Sequence, residues 1–154
     1  MKIAGTYRLP GAPEQVWELL NDPERLAKCL PGCERLEPDG LDRYKVAIKF
    51  ALAAVSGKYT GLVELADKKP PRSLRLRLEG KGVPGFVKGE GKLELTEKQG
   101  QTEVRYTGEA QIGGMIAAIG QRMIEGAARK MIQQFFESAA AQLQAPARKV
   151  GGGR

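Results

Sequence analysis

The stretch from Gly113 to Leu143 is the one long helix that this sequence predicts, and it follows about a hundred residues in which apolar and polar side chains alternate as in β-strands. A lone helix has one apolar stripe to bury, and an antiparallel sheet has one apolar face to cover it. Packed together they make a single core, and a curled sheet also encloses a cavity. The sequence therefore predicts an α+β fold that works as a container.

The length of 154 residues suits one domain, which we expect to span residues 1–145, with a short basic flexible tail at 146–154. No apolar run reaches the roughly 18 residues that a membrane-spanning helix needs. Met1 leads directly into strand residues, without a secretory signal. Cys29 and Cys33, the two cysteines of the sequence, then fit a reducing compartment. These features predict a soluble, cytoplasmic protein.

Turn residues divide the chain into one strand, two short helices, six strands and the long helix. Pro10 ends the first strand, and Pro13 and Pro23 each suit the first turn of a short helix. Turns are predicted at Ser56-Gly57, at 82–85 and at Gln99-Gly100. The inward rows of the six later strands include Tyr44, Val46, Ile48, Phe50, Leu52, Tyr59, Val63, Leu65, Leu74, Leu76, Leu78, Val87, Leu93, Leu95, Val104, Tyr106, Ala110 and Ile112.

The apolar stripe of the long helix drifts, because its members advance mostly in steps of four rather than 3.6 residues. They are Ile116, Gly120, Met123 or Ile124, Ala127, Met131, Phe135, Ala139 and Leu143. One flat surface cannot cover both ends of such a stripe. We therefore expect a concave sheet around the helix.

Glycines within the predicted strands leave two interpretations open. They either shape the bends of the sheet or also leave space for a ligand on its inner face. Met115, Met123 and Met131 are likewise either core or adaptable ligand contacts. The residues that we predict to line a ligand cavity are Tyr44, Phe50, Tyr59, Leu76, Phe86, Met115, Ile119 and Met123, with the tyrosine hydroxyls as polar contacts.

The net charge of +7 raises the question of an anionic partner. In strands such as Arg75-Leu76-Arg77-Leu78-Glu79, charge of both signs falls on every second residue, which is typical of a solvated sheet face. No basic stripe is interleaved with aromatic residues, so we predict no nucleic-acid partner. Loose peripheral contact with an anionic membrane stays open.

Catalytic groups are scarce in this sequence. It contains no histidine, which removes the commonest general base and metal ligand. Cys29 and Cys33 have no second pair to complete a zinc site, and the sequence does not reveal whether they have a redox role. No phosphate-binding or dinucleotide motif is present. We predict no catalytic residue, no metal and no cofactor.

One segment resembles a family signature. Residues 21–34, Asn-Asp-Pro-Glu-Arg-Leu-Ala-Lys-Cys-Leu-Pro-Gly-Cys-Glu, preceded by Val16-Trp17 and Leu19-Leu20, are similar to the CoxG family of carbon monoxide dehydrogenase subunits. The Gly113-Gly114 junction and the Phe135-Phe136 pair extend the resemblance over nearly the whole chain. The family falls in the START-like helix-grip superfamily (SRPBCC).

The resemblance implies a curved seven-stranded antiparallel sheet wrapped around a long C-terminal helix, with two short helices after the first strand and an apolar cavity inside. It also implies an accessory role beside a molybdenum hydroxylase of the carbon monoxide dehydrogenase type, at the inner face of the membrane. Many relatives continue into a hydrophobic anchor, whereas this sequence ends in a basic tail. Stable anchoring is therefore not expected.

Together these observations predict non-catalytic binding of a hydrophobic small molecule, a quinone or a lipid-like compound, between the sheet and the C-terminal helix. Two alternatives stay open. One is a cyclase- or dehydratase-like enzyme of the same superfamily. The other is a protein-interaction module that aids maturation of the hydroxylase or its recruitment to the membrane.

Overall fold

The computed structural model describes residues 1–51 and 56–144. The elements are β1 (Lys2–Leu9), α1 (Pro13–Leu20), α2 (Pro23–Cys29), β2 (Cys33–Pro38), β3 (Arg43–Phe50), β4 (Gly57–Lys69), β5 (Ser73–Gly82), β6 (Gly85–Lys98), β7 (Gln101–Gly113), a 3-10 helix (Met115–Ile119) and α3 (Gln121–Gln144). This order confirms the predicted succession of strands and helices. Leu52 and the predicted tail at 146–154 lie outside the described residues, so the domain limits stay a prediction.

The seven strands form one antiparallel sheet in the order β1-β7-β6-β5-β4-β3-β2. Strands β2 to β7 follow one another as antiparallel neighbours, the simplest way to build such a sheet. β1 then pairs with β7, from Lys2 opposite Glu109 to Leu9 opposite Thr102. Because successive side chains point to opposite sides, the sheet has two faces. We call the face that packs against the helices the inner face, and the other the outer face.

The two short helices start where the sequence predicts. Each has a proline in its first turn, where the missing N–H costs no helical hydrogen bond. The N–H of Ala12 donates to Oε1 of Gln15 at 2.8 Å before α1. Asp22 caps α2, because its Oδ1 accepts from the N–H of Glu24 at 3.1 Å. These caps define the starts of α1 and α2. The α1 residue Leu19, which is 1% exposed, packs against the inner face.

The long helix begins later than predicted. Gly113 ends β7, and Gly114 has a φ of 83° before the short 3-10 helix. Gly120 has a φ of 100°, and α3 starts only at Gln121. An α-helix requires negative φ throughout, so the predicted start at Gly113 is wrong. The apolar stripe alone could not reveal two backbone reversals that glycine makes possible.

The 3-10 helix is attached to the end of the sheet. The N–H of Ile116, which is 6% exposed, donates to the carbonyl oxygen of Pro84 in the β5–β6 turn at 2.8 Å. In α3, Ile124 is the buried member of the predicted Met123-or-Ile124 pair. Among the described residues, neither α3 nor any other helix has the length and apolar character needed to span a lipid bilayer.

The core lies where the second half of α3 crosses the sheet. The Phe136 ring stacks on Tyr7 with centroids 5.0 Å apart and lies 5.7 Å from the ring of Tyr106. The buried side chains around it are Leu9, Val16, Leu19, Leu20, Cys29, Leu95, Val104 and Ala139. A second cluster of Tyr44, Leu65 and Leu74 lies across β3 to β5. Trp17 packs against both clusters and joins them.

Charged side chains on the outer face of β4 and β5 pair across the strands. Arg77 lies 3.7 Å from Glu64, and Arg75 lies 3.5 Å from Asp67. These ion pairs are exposed, so each contributes little to stability. They form the solvated sheet face that the alternating charges predict.

Replacing Phe136 by alanine tests the anchor of α3. Phe136→Ala removes a ring that is 4% exposed and leaves a cavity against Tyr7 and Tyr106. We expect the free energy of unfolding to fall by about 3–5 kcal/mol, measured by urea denaturation. Leu41→Ala is the control, because Leu41 is 90% exposed and should change stability by less than about 0.5 kcal/mol. Similar losses in both variants would contradict this assignment of the anchor.

Candidate functional site

Part of the inner face is not covered by buried helix side chains. Phe136 and Ala139 are the buried residues in the second half of α3, whereas Ile124 is the single one in its first half. Near the end of the sheet where α3 begins, several inward apolar side chains stay only partly buried. They are Ile48, Phe50, Val63, Leu78, Val87 and Ile112. We call the surface that these residues form, together with the glycines between them, the inner groove.

Glycines form the floor of the inner groove. The register places Gly61, Gly80, Gly89, Gly91 and Gly108 in its inward rows. A Cβ atom on Gly61 would collide with the carbonyl of Glu79, so this glycine shapes the sheet. A Cβ on Gly80 would meet Val87 Cγ1 at 3.7 Å and Thr60 O at 3.8 Å, with no atom of α3 within 4 Å. Gly61 therefore shapes the sheet, whereas Gly80 leaves space on the inner face, and whether a ligand uses that space stays a prediction.

The structure separates the predicted cavity residues into groups. Phe50 and Tyr59 lie together in the inner groove, with ring centroids 5.6 Å apart. Burial raises the pKa of the Tyr59 hydroxyl. Tyr44 belongs to the second core cluster, and Leu76 packs against that cluster. These two residues lie farther along the strands, away from the start of α3.

Three more predicted residues lie around the 3-10 helix. Met115 is 68% exposed and Met123 is 55% exposed. Ile119 is partly buried, while its neighbour Ile116 supplies the buried contact. These side chains stand at the edge of the inner groove, and whether they touch a ligand stays a prediction.

Phe86 lies on the outer face, so its predicted place in the wall of an inner cavity is wrong. It pairs with Gly113 in the register, and a Cβ on Gly113 would collide with its ring. Val87 is the inward neighbour. The reason is strand alternation: Phe86 falls one residue out of phase with the inward row that contains Val87, Gly89 and Gly91.

Phe86 instead borders a hollow of about 550 Å³ on the outer face, which we call the outer groove. Two cross-strand rows of outward side chains form its sides. One row is Glu37, Lys45, Leu62, Glu79 and Lys88, and the other is Arg35, Ala47, Thr60, Lys81 and Phe86. The backbone of the row between them, which is Val46, Gly61, Gly80 and Val87, forms the floor. The outer groove thus runs across the strands from β2 to β6.

The environments of the two cysteines disfavour reactivity. Cys29 is 1% exposed, and Nε2 of Gln142 lies 3.2 Å from its Sγ. Burial raises the pKa of the Cys29 thiol to about 11, and burial also raises the pKa of Cys33. Low thiolate content opposes a redox role. Within residues 1–51 and 56–144, no three Cys, Asp or Glu side chains are grouped to hold a metal ion.

Sequence reasoning missed the importance of Leu78, Val87 and Ile112 for the site. The predicted inward rows include all three, but the predicted cavity wall does not. The available signal is their position beside inward glycines, which leaves neighbouring side chains less covered. The outer groove has no signal in the sequence, because it depends on the shape of the sheet.

Comparison with known proteins places the chain in a family. The sequence model of the carbon monoxide dehydrogenase CoxG subunit family matches residues 5–144. No curated protein sequence matches the chain significantly. A conserved protein from Geobacillus kaustophilus has a similar structure, with 42% identity and a TM-score of 0.91 over 93% of this chain and 95% of that chain.

More distant structures share the fold. A START superfamily protein from Mycobacterium smegmatis is 9% identical, with a TM-score of 0.73 over 93% of this chain and 97% of that chain. An aromatase/cyclase from a Streptomyces species is 16% identical, with a TM-score of 0.72 over 99% of this chain and 98% of that chain. At these identities the similarity shows the fold alone. The predicted helix-grip fold is confirmed.

The cysteine environments predict different reactivities towards Ellman's reagent. In a Cys33→Ser variant, the remaining Cys29 should react slowly near neutral pH and speed up as the pH approaches about 11, because a raised pKa keeps the thiol protonated below that value. In a Cys29→Ser variant, the less buried Cys33 should react faster. Both variants should react equally after unfolding in urea. Equal rates in the folded proteins would contradict the burial of Cys29.

Proposed function

We propose that this chain, which belongs to the CoxG family of carbon monoxide dehydrogenase subunits, binds an apolar small molecule in the inner groove without transforming it. The observation that carries the proposal is the bare backbone at Gly80, where no atom of α3 lies within 4 Å. Leu78, Val87 and Ile112 around it keep apolar surface in contact with water. A ligand that covers this surface gains about 25 cal/mol for each Å² buried.

The chemistry of the inner groove favours a quinone or a lipid-like ligand. The inward rows that line it contain apolar side chains and glycines, with the Tyr59 hydroxyl as a polar group. A ligand with a charged centre would lose its hydration there without gaining an opposite charge. A ligand with a large apolar body and few oxygens fits better, because most of its surface needs no polar partner. The described residues of these inward rows offer no carboxylate for a cyclase-type reaction.

A thermal-shift experiment with quinones and fatty acids tests the binding. At a hundred times its dissociation constant, a ligand should stabilise the fold by about 2.7 kcal/mol. Gly80→Leu should reduce the shift strongly, because the new side chain fills the inner groove from a position where a Cβ has room. The matched control is Gly126→Leu on α3, at an exposed glycine with no neighbouring atom within 4 Å. Unchanged melting temperatures across the whole panel would refute the proposal.

An accessory role beside a molybdenum hydroxylase of the carbon monoxide dehydrogenase type completes this proposal. Its support is the family itself, whose name refers to carbon monoxide dehydrogenase. A carrier of an apolar electron acceptor or lipid suits a partner of that kind, because such a ligand needs shielding from water between its donor and its acceptor. Co-purification of the two proteins tests the association, and failure to associate in the presence of ligand counts against it.

Peripheral contact with an anionic membrane is the other part of the proposal. Val83, Met115 and Met123, which are 91%, 68% and 55% exposed, lie at the end of the sheet where α3 begins. On the outer face near that end, Lys49 stands directly opposite Lys58, and neither makes an ion pair with the described residues. Like charges placed opposite each other are unfavourable unless an anion compensates them. Exposed apolar side chains beside unpaired cations suit the surface of an anionic bilayer.

Vesicle flotation tests this contact. Val83→Asp should reduce binding to vesicles that contain phosphatidylglycerol, because a carboxylate replaces an apolar contact next to the lysines. Leu41→Asp is the matched control, since Leu41 is equally exposed, at 90%, but lies in the β2–β3 turn at the opposite end of the sheet. We expect this control to bind like the unmodified chain. Equal binding of both variants would refute the assigned surface.

A further inference from the structure

Three lysines of the outer groove have no ion-pair partner among the described residues. Outside the groove, Lys92 lies 3.5 Å from Glu94, and similar pairs join β4 to β5. Inside it, Lys45, Lys81 and Lys88 make no ion pair with any described residue. These three lysines are therefore available to an anionic ligand.

The cations of the outer groove outnumber its carboxylates. Arg35, Lys45, Lys81 and Lys88 face two carboxylates, those of Glu37 and Glu79. Arg35 lies 4.0 Å from Glu37, and Glu79 stands opposite Lys88 in the register. An excess of two positive charges remains. A concave surface with an unpaired excess of one sign attracts ligands of the other sign.

The outer groove also contains apolar side chains. Ala47 and Leu62 line its middle, and Phe86, which is 48% exposed, stands at the β6 end. The small side chains of Ala47 and Thr60 keep the middle wide. A sheet face that served only for solvation would place polar groups at these positions. The groove can therefore hold an apolar body as well as an anionic group.

The dimensions of the outer groove suit a small organic molecule. Its volume of about 550 Å³ falls in the range of ligand sites. Because it crosses from β2 to β6 and neighbouring strands lie about 4.8 Å apart, it extends about 19 Å across the sheet. We propose that the outer groove binds an elongated organic anion, with the apolar body along Ala47, Leu62 and Phe86 and a carboxylate, sulfonate or phosphate between the unpaired lysines. This site is separate from the inner groove and does not rest on the proposed function.

Two dyes of matched shape test the proposal. Anilinonaphthalene sulfonate carries an apolar body and an anion, and N-phenylnaphthylamine is its neutral counterpart. The binding of each dye is measured by fluorescence titration of the full chain at physiological salt. The Lys88→Glu variant should bind the sulfonate dye about tenfold more weakly than the unmodified chain, since reversing a contacting charge replaces attraction by repulsion. The affinity for the neutral dye should not change.

The control for this charge reversal lies on the same strand. Lys98→Glu makes the same change of net charge at an exposed position of β6, on the same face and outside the groove. It should change the sulfonate affinity less than about twofold, because salt screens charges beyond roughly 8 Å. Equal weakening by Lys88→Glu and Lys98→Glu would show that only the net charge matters, and would overturn the proposal.

A filling variant tests the location without changing charge. Thr60→Trp places a large ring at the exposed middle of the outer groove, on a strand position that tolerates aromatic residues. It should abolish sulfonate binding, with an unchanged circular dichroism spectrum. If Gly80→Leu removes sulfonate binding and Thr60→Trp does not, the anion binds in the inner groove, and the outer site is refuted.

Discussion

The contact of Phe136 with Tyr7 and Tyr106 determines how α3 lies on the sheet, and the inner groove depends on that placement. Since β1 and β7 are adjacent strands at one side of the sheet, the stack holds the second half of the helix over that side. Trp17 and the second core cluster then close the far end of the inner face. What stays open is the end near the first half of α3, where glycines interrupt the inward rows of larger side chains.

Two opposed requirements meet in this open region. A stable core needs side chains that fill the space between helix and sheet, whereas a ligand site needs them to be absent. The chain satisfies both by placing large aromatic residues under one half of α3 and glycines under the other. The glycines cost conformational entropy on folding, and the aromatic half of the core compensates for that cost.

Most of the architecture could be predicted from the sequence because it depends on local periodicity. The alternation around Tyr44, Val46 and Ile48 identifies a strand and its inward face, and Pro13 and Pro23 mark the short helices. Two predictions failed for physical reasons. Gly120 reverses the backbone inside an otherwise helical stripe, which hydrophobic periodicity does not record. Phe86 is a large apolar residue, which suggests an inward position, but the strand alternation places it on the outer face.

The candidate site was harder to predict because a groove is defined by where side chains are absent. Phe50 and Tyr59 are large inward residues and lie in the inner groove, but Tyr44 and Leu76 are also large and inward and belong to the packed cluster. Whether an inward residue lines a core or a groove depends on what crosses above it. The outer groove depends in the same way on the combined twist of several strands, which no single segment specifies.

The φ of 100° at Gly120 has a mechanical consequence. The 3-10 helix hydrogen-bonds through Ile116 to the β5–β6 turn, while the second half of α3 is held by the ring contacts of Phe136. The two bodies are linked in the chain through the torsions of one residue without a side chain. A residue with a side chain at position 120 would strain this link, so the placement of the 3-10 helix beside α3 depends on a glycine there.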